Sequence, residues 1–320
     1  DLVRSRGLGD VYKRQEDIYK VGIFSVISLL GGLSIFLYGM DIMGDGLKSS
    51  SSKALKSMLE KVTHSAVLGM LTGTLVTSVI QSSTATIVLT VGLLSAGILN
   101  LRQSISIVMG ANIGTTVTAQ IIRLMDINSS GAAFIEIFKP STLAPLAVLC
   151  GIIFLKFVKS QKTKGIGMML MGFGILFTGL MGMTEAVSPL SESQAFTDVL
   201  QKFSDVPILG ILTGLITTFI VQSSSAVIGM VQALSSTGAF TFQTVYPLII
   251  GINLGTCITT AIVCSIGTDK DAKRTGIAHI LFNCIGTVLF MAAIPLLHHA
   301  GALNFISVSY THLRAHETVL

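Results

Sequence analysis

A chain of 320 residues that is 51% hydrophobic and 12% charged carries about half the charge of a soluble domain. Its apolar stretches are long enough to cross a bilayer of about 30 Å at about 1.5 Å per residue, so the chain reads as an all-α integral membrane protein. The net charge of +5 then bears on membrane topology, with no nucleic-acid partner expected. Cys150, Cys257, Cys264 and Cys284 form no C-x-x-C pair and fall in apolar segments, which reads as small core residues rather than a metal site or disulfide framework.

Residues 1–15 and 308–320 are polar, basic and aperiodic, and are read as non-native tails outside the fold. Residues 21–43 make a first spanning helix, and the Lys-bearing stretch 50–62 an interfacial one. The apolar run 66–98 is too long for one straight crossing. The polar run Gln81-Ser82-Ser83-Thr84 divides it into halves of about 15 residues, each too short to span, which predicts a re-entrant hairpin with the polar run at its tip. Residues 105–123 cross next, with Gly110-Ala111-Asn112-Ile113-Gly114-Thr115 expected to unwind locally around Asn112 and Gly114. Residues 140–158 cross back.

The pattern then restarts. Residues 165–184 echo the first helix, with Gly172 and Gly179 matching Gly32 and Gly39 at an offset of 140, and 192–204 echo 50–62. A second hairpin at 207–240 carries Gln222-Ser223-Ser224-Ser225. A second G-x-N-x-G-T helix follows at 246–264, with Asn253 and Gly255 at the expected unwinding, and a last crossing at 275–297. At a constant offset of 141, residues 69–122 align with 210–263 without a gap. The identities include Gly69/Gly210, Gly73/Gly214, Thr77/Thr218, Gln81/Gln222, Asn112/Asn253 and Gly114/Gly255. Drift in apolar sequence would preserve Leu and Val, so these identities indicate duplication.

Residues 16–158 and 159–300 are therefore read as two repeats, each of three transmembrane helices plus a re-entrant helical hairpin. Three crossings are an odd number, so the second repeat is inverted relative to the first. Lysines and arginines gather on one side of this arrangement, among them Lys48, Lys53, Lys56, Lys156, Lys159, Lys162, Lys164 and Lys270, which makes that side cytoplasmic and the protein a multi-pass protein of the inner (plasma) membrane.

Inverted hairpins whose tips meet near the midplane suit a secondary transporter. Helices beginning near Thr84 and Ser225 would offer free N–H donors to an anion, alongside the hydroxyls of Ser82, Ser83, Thr84, Ser223, Ser224 and Ser225. No Lys or Arg lies in these cores, so co-bound cations must offset an anion's charge. The carbonyls of Gln81 and Gln222 and the hydroxyls of Thr115, Thr118, Thr256 and Thr259 are hard oxygen donors that suit Na+. No His or carboxylate stands at either tip, which argues against proton coupling and against a serine nucleophile, so no enzyme is expected.

These paired Gln-Ser-Ser-Ser/Thr runs, each followed about 30 residues on by G-x-N-x-G-T, resemble the sodium-dependent phosphate cotransporter family, specifically the bacterial relatives of the type II animal transporters. The resemblance covers residues 21 to about 300 and implies Na+-coupled symport of inorganic phosphate by alternating access, with Na+ as coupling ion and no organic cofactor. It implies phosphate at Ser83, Thr84, Ser224 and Ser225, and Na+ at Gln222, Ser223, Thr256 and Thr259. Internal symmetry extends the Na+ set to Gln81, Ser82, Thr115 and Thr118. Such bacterial proteins often continue into further helices and a cytoplasmic helical regulatory domain, which this fragment is expected to lack. Three other readings stay open: an anion channel, a membrane signalling or assembly module, and the same fold carrying another oxyanion such as sulfate.

Overall fold

The computed structural model describes residues 23–50, 65–123, 140–191, 205–237, 240–265 and 270–299, with the isolated positions 198 and 202. The tails and most of both amphipathic stretches lie outside these residues. Among the described residues all regular structure is helical, in ten helices. The first half holds α1 (Ile23–Ser50), α2 (Ala66–Ile80), α3 (Ser83–Ser95), α4 (Leu101–Arg123) and α5 (Pro140–Phe157). The second holds α6 (Gln161–Ser191), α7 (Pro207–Val221), α8 (Ser224–Ser236), α9 (Phe242–Ser265) and α10 (Lys270–His299).

Five of these, α1, α4, α6, α9 and α10, are long and apolar enough to cross a membrane, whereas α2, α3, α5 and α7 are shorter apolar helices. Helices cover the stretches expected at 105–123, 246–264 and 275–297 with slightly wider bounds, whereas the crossing expected at 140–158 is α5, shorter than the five helices long enough to span. α1 and α6 run well past the ends expected for them, because the polar residues that suggested a boundary, such as Asp45 and Lys48, continue the helix as an exposed i,i+3 ion pair.

The expected unwinding at Asn112 and Gly114, and at Asn253 and Gly255, does not occur. α4 and α9 are continuous helix through both elements. Their glycines serve close approach instead. A Cβ on Gly110 would stand 2.0 Å from the Met70 carbonyl oxygen, and one on Gly251 would stand 2.1 Å from the Ile211 carbonyl. In return, a Cβ on Gly73 or Gly214 would collide with the carbonyl of Ile107 or Leu248. So α2 lies backbone to backbone on α4, and α7 lies on α9 in the same way, as small residues allow where lipid supplies no hydrophobic drive.

A second glycine seam joins the halves. Gly32, Gly39 and Gly46 recur every seven residues along α1 and meet Gly179, Gly172 and Gly165 of α6 in reverse order, so the two helices run antiparallel. The buried core grows from this seam: Phe36, Met40 and Met43 of α1 pack with Leu176, Phe177, Leu180 and Met183 of α6 and with Ala226 and Ala233 of α8. Each hairpin also reaches across, since α3 packs on α9 and α8 packs on α4 and α6.

A Cβ at Gly39 would sit 2.3 Å from the Leu176 backbone nitrogen, an atom that cannot yield, whereas Gly31 has open space. Gly39→Val should therefore lose about 3 kcal/mol of stability, the upper part of the usual overpacking range. Gly31→Ala should be nearly neutral; detergent-phase thermal melts of both variants check this.

Candidate functional site

The two polar runs build the same local structure twice. α2 ends at Gln81 and α7 at Gln222, both in the left-handed region, with φ of 59° and 57°. They are the only non-glycine residues with positive φ among the described residues. That conformation costs a side chain about 1 kcal/mol, and here it turns the chain within two residues. The Gln81 and Gln222 backbone N–H groups close the preceding helices on the carbonyls of Thr77 and Thr218. Ser82 and Ser223 are then extended and start the next helices, each hydroxyl accepting from the N–H three residues on, Ala85 or Ala226, at 3.2 Å.

Each glutamine side chain is held by the neighbouring long helix. The Thr118 hydroxyl donates to Gln81 Oε1 at 2.8 Å, and Thr259 donates to Gln222 Oε1 at 3.1 Å. The amide nitrogens donate back to the Ser78 and Phe219 carbonyls. Thr115 and Thr256 donate their protons to the carbonyls of Ala111 and Asn253. No hydrogen bond among the described residues engages the hydroxyls of Ser83, Thr84, Ser224 or Ser225.

These residues enclose one cavity of about 50 Å³, room for a few waters or one small ion. It is lined by seven pairs at the offset of 141: Thr77/Thr218, Gln81/Gln222, Ser82/Ser223, Ser83/Ser224, Thr84/Ser225, Thr115/Thr256 and Thr118/Thr259. All twelve side chains expected at a phosphate or Na+ site thus line one cavity. Every lining side chain carries a hydroxyl or carboxamide and none is ionisable. Two helix N-termini, of α3 and α8, open onto it, with the amides of their first turns unsatisfied within the helix.

Equivalent residues of the two halves differ in exposure, in both directions. Gln81 is buried and Gln222 exposed, while Ser224 and Ser225 are more buried than Ser83 and Thr84. Asn112 and Asn253 do not line the cavity.

The family model described as Na+/Pi-cotransporter matches the chain twice, over residues 35–185 and 180–308. The chain belongs to the Na+/Pi-cotransporter family. The apolar helices fit a membrane protein. A protein of Bacillus subtilis (strain 168) named uncharacterized protein YqeW is 28% identical over 266 residues, covering 83% of this chain and 81% of that one. The putative inorganic phosphate export protein YjbB of Escherichia coli (strain K12) is 24% identical over 275 residues. That alignment covers 86% of this chain and 48% of YjbB, so the chain spans about half the length of that relative. Human sodium-dependent phosphate transport protein 2B is 34% identical over 108 residues, 33% of this chain and 16% of that protein. No solved structure matches.

Sequence reasoning missed two features of this family member. Thr77 and Thr218 line the cavity, and their identity across the repeats was the signal that could have found them. His279 is 1% exposed and hydrogen-bonded through Nε2 to Asn112 Oδ1 at 2.9 Å, fastening α10 to α4. Removing one partner of this buried pair leaves the other unpaired, so His279→Leu should cost about 1–3 kcal/mol. The double replacement His279→Leu with Asn112→Leu should recover part of that loss; thermal unfolding of the three proteins tests the coupling.

Proposed function

We propose that this protein is a secondary transporter that symports inorganic phosphate with Na+ by alternating access, through one site built from both hairpin tips. The observation that carries the reading is the cavity lined by seven sequence-equivalent pairs from the two halves. Such a site lies on the axis relating two repeats, as inverted-repeat carriers require. The antiparallel run of the α1–α6 glycine seam supports inversion of residues 159–300 relative to 16–158. α2, α3, α7 and α8, at 13 or 15 residues each, reach about 20 Å, which supports hairpins that enter and leave on one side.

Proton bookkeeping divides the work among the lining residues. Thr115, Thr118, Thr256 and Thr259 spend their protons on carbonyl oxygens, which leaves lone pairs for a cation. With the Gln81 and Gln222 carbonyls they form a neutral oxygen set, which fits a monovalent hard cation better than Ca2+, whose sites use carboxylates. Ser83, Thr84, Ser224 and Ser225 keep their protons free at two helix N-termini and can donate to the oxyanion. Bound Na+ supplies the positive charge that the cavity lacks, so the oxyanion can load only once Na+ is in place.

Alternating access is the mechanism suited to one site shared by two inverted halves, which can rock about it. Direction follows the ion gradients rather than the fold, so a relative named as an exporter and others named for Na+-dependent transport are compatible with one mechanism.

Proteoliposomes holding the full chain should take up radiolabelled phosphate with an inward Na+ gradient and not with an equal K+ gradient, and excess sulfate should not compete. Uptake indifferent to the cation would favour a channel, and competition by sulfate would broaden the substrate. Ser224→Ala should lower uptake at least tenfold while the protein melts as the parent does; unchanged transport would remove the tips from the site.

A further inference from the structure

Beneath the second tip one lining hydroxyl has no partner. Thr218 is 3% exposed, lines the cavity, and its Oγ1 finds no hydrogen bond among the described residues. Its equivalent in the first half is satisfied: Thr77 donates to Thr86 Oγ1 at 3.0 Å, and Thr86 passes its own proton to the Ser82 carbonyl at 3.1 Å. The position matching Thr86 is Val227, which cannot accept. Both threonines stand the same way, with Cβ and Cγ2 against a glycine of the long helix, Gly114 for Thr77 and Gly255 for Thr218. Hydroxyl direction is therefore common to the two, and only the acceptor is missing in the second half.

An unpaired hydroxyl in a buried site is destabilising, and its unmet need is an acceptor for the proton. Thr256 and Thr259, beside it on α9, have already given their protons to carbonyls, so they present lone pairs. Thr218 belongs with the opposite class, the donors. We infer that the Thr218 hydroxyl donates to an oxygen of the transported oxyanion, a contact that the first half, with its Thr77–Thr86 bond, does not make. The inference rests on the oxyanion reading of the cavity and deepens it: the anion is held asymmetrically, with an extra hydrogen bond from the second half. Two threonines that are identical in sequence then do different things, one closing a hairpin and the other binding substrate.

The test is equilibrium binding of radiolabelled inorganic phosphate to the detergent-solubilised full chain at saturating Na+, with thermal melts in parallel. Thr218→Val should weaken phosphate binding at least tenfold, about 1.4 kcal/mol, while the ligand-free protein melts at the same temperature or higher, because the variant removes an unpaired group. Thr218→Ser should retain binding. Val227→Thr supplies the missing acceptor without touching a lining residue, and it should weaken phosphate binding as Thr218→Val does. The Na+-induced rise in melting temperature without phosphate should persist in all of these. Unchanged phosphate affinity in both Thr218→Val and Val227→Thr would overturn the inference, as would a loss of the Na+ response in Thr218→Val with phosphate affinity intact. No phosphate binding by the parent protein would instead overturn the oxyanion reading beneath it.

Discussion

A helix that stops inside an apolar protein strands four carbonyls at its end, and the helix that follows strands four N–H groups. Packed among apolar helices, these groups must find their partners within the protein. This chain faces the problem twice and solves it in the same way each time. A left-handed glutamine closes one helix, a serine caps the next, and a threonine from a third helix holds the glutamine's carboxamide. The first-turn amides left over open onto the cavity. What begins as a defect in the helix thus becomes the polar surface of a site without an ionisable side chain.

That arrangement holds only if the helices around the tips come close enough to reach them. The glycines provide this. Backbone contact between α2 and α4 sets Gln81 within reach of Thr118, contact between α7 and α9 does the same for Gln222 and Thr259, and the α1–α6 seam joins the halves. A side chain at Gly73, Gly110, Gly214 or Gly251 would push the paired helices apart and carry the threonine away from its glutamine.

Much of this was legible in the sequence because the informative residues are rare in apolar segments. Gln, Ser and Asn repeated at a fixed offset mark the duplication and the tips, and all twelve expected ligand side chains do share a cavity. The role of the G-x-N-x-G-T glycines was misread, because glycine serves both backbone freedom and close packing. Only the Met70 and Ile211 carbonyls opposite, a tertiary fact, decide between them. The His279–Asn112 bond spans 167 residues and leaves no local trace. Thr77 and Thr218 were visible as identities, yet threonines in such helices commonly bond a carbonyl four residues back, as Thr72 and Thr74 do here, so their hydroxyls could not be assigned from sequence.

The central claim is that two tips make one site. It is tested most directly by the stoichiometry of phosphate binding to the purified chain in saturating Na+, for the parent and for variants altered in one tip alone. One phosphate per chain, with binding lost when either Ser83 or Ser224 becomes alanine, is the result expected of a shared site. Two phosphates per chain, or one retained after a single tip is disabled, would mean that each hairpin binds alone and would contradict the account.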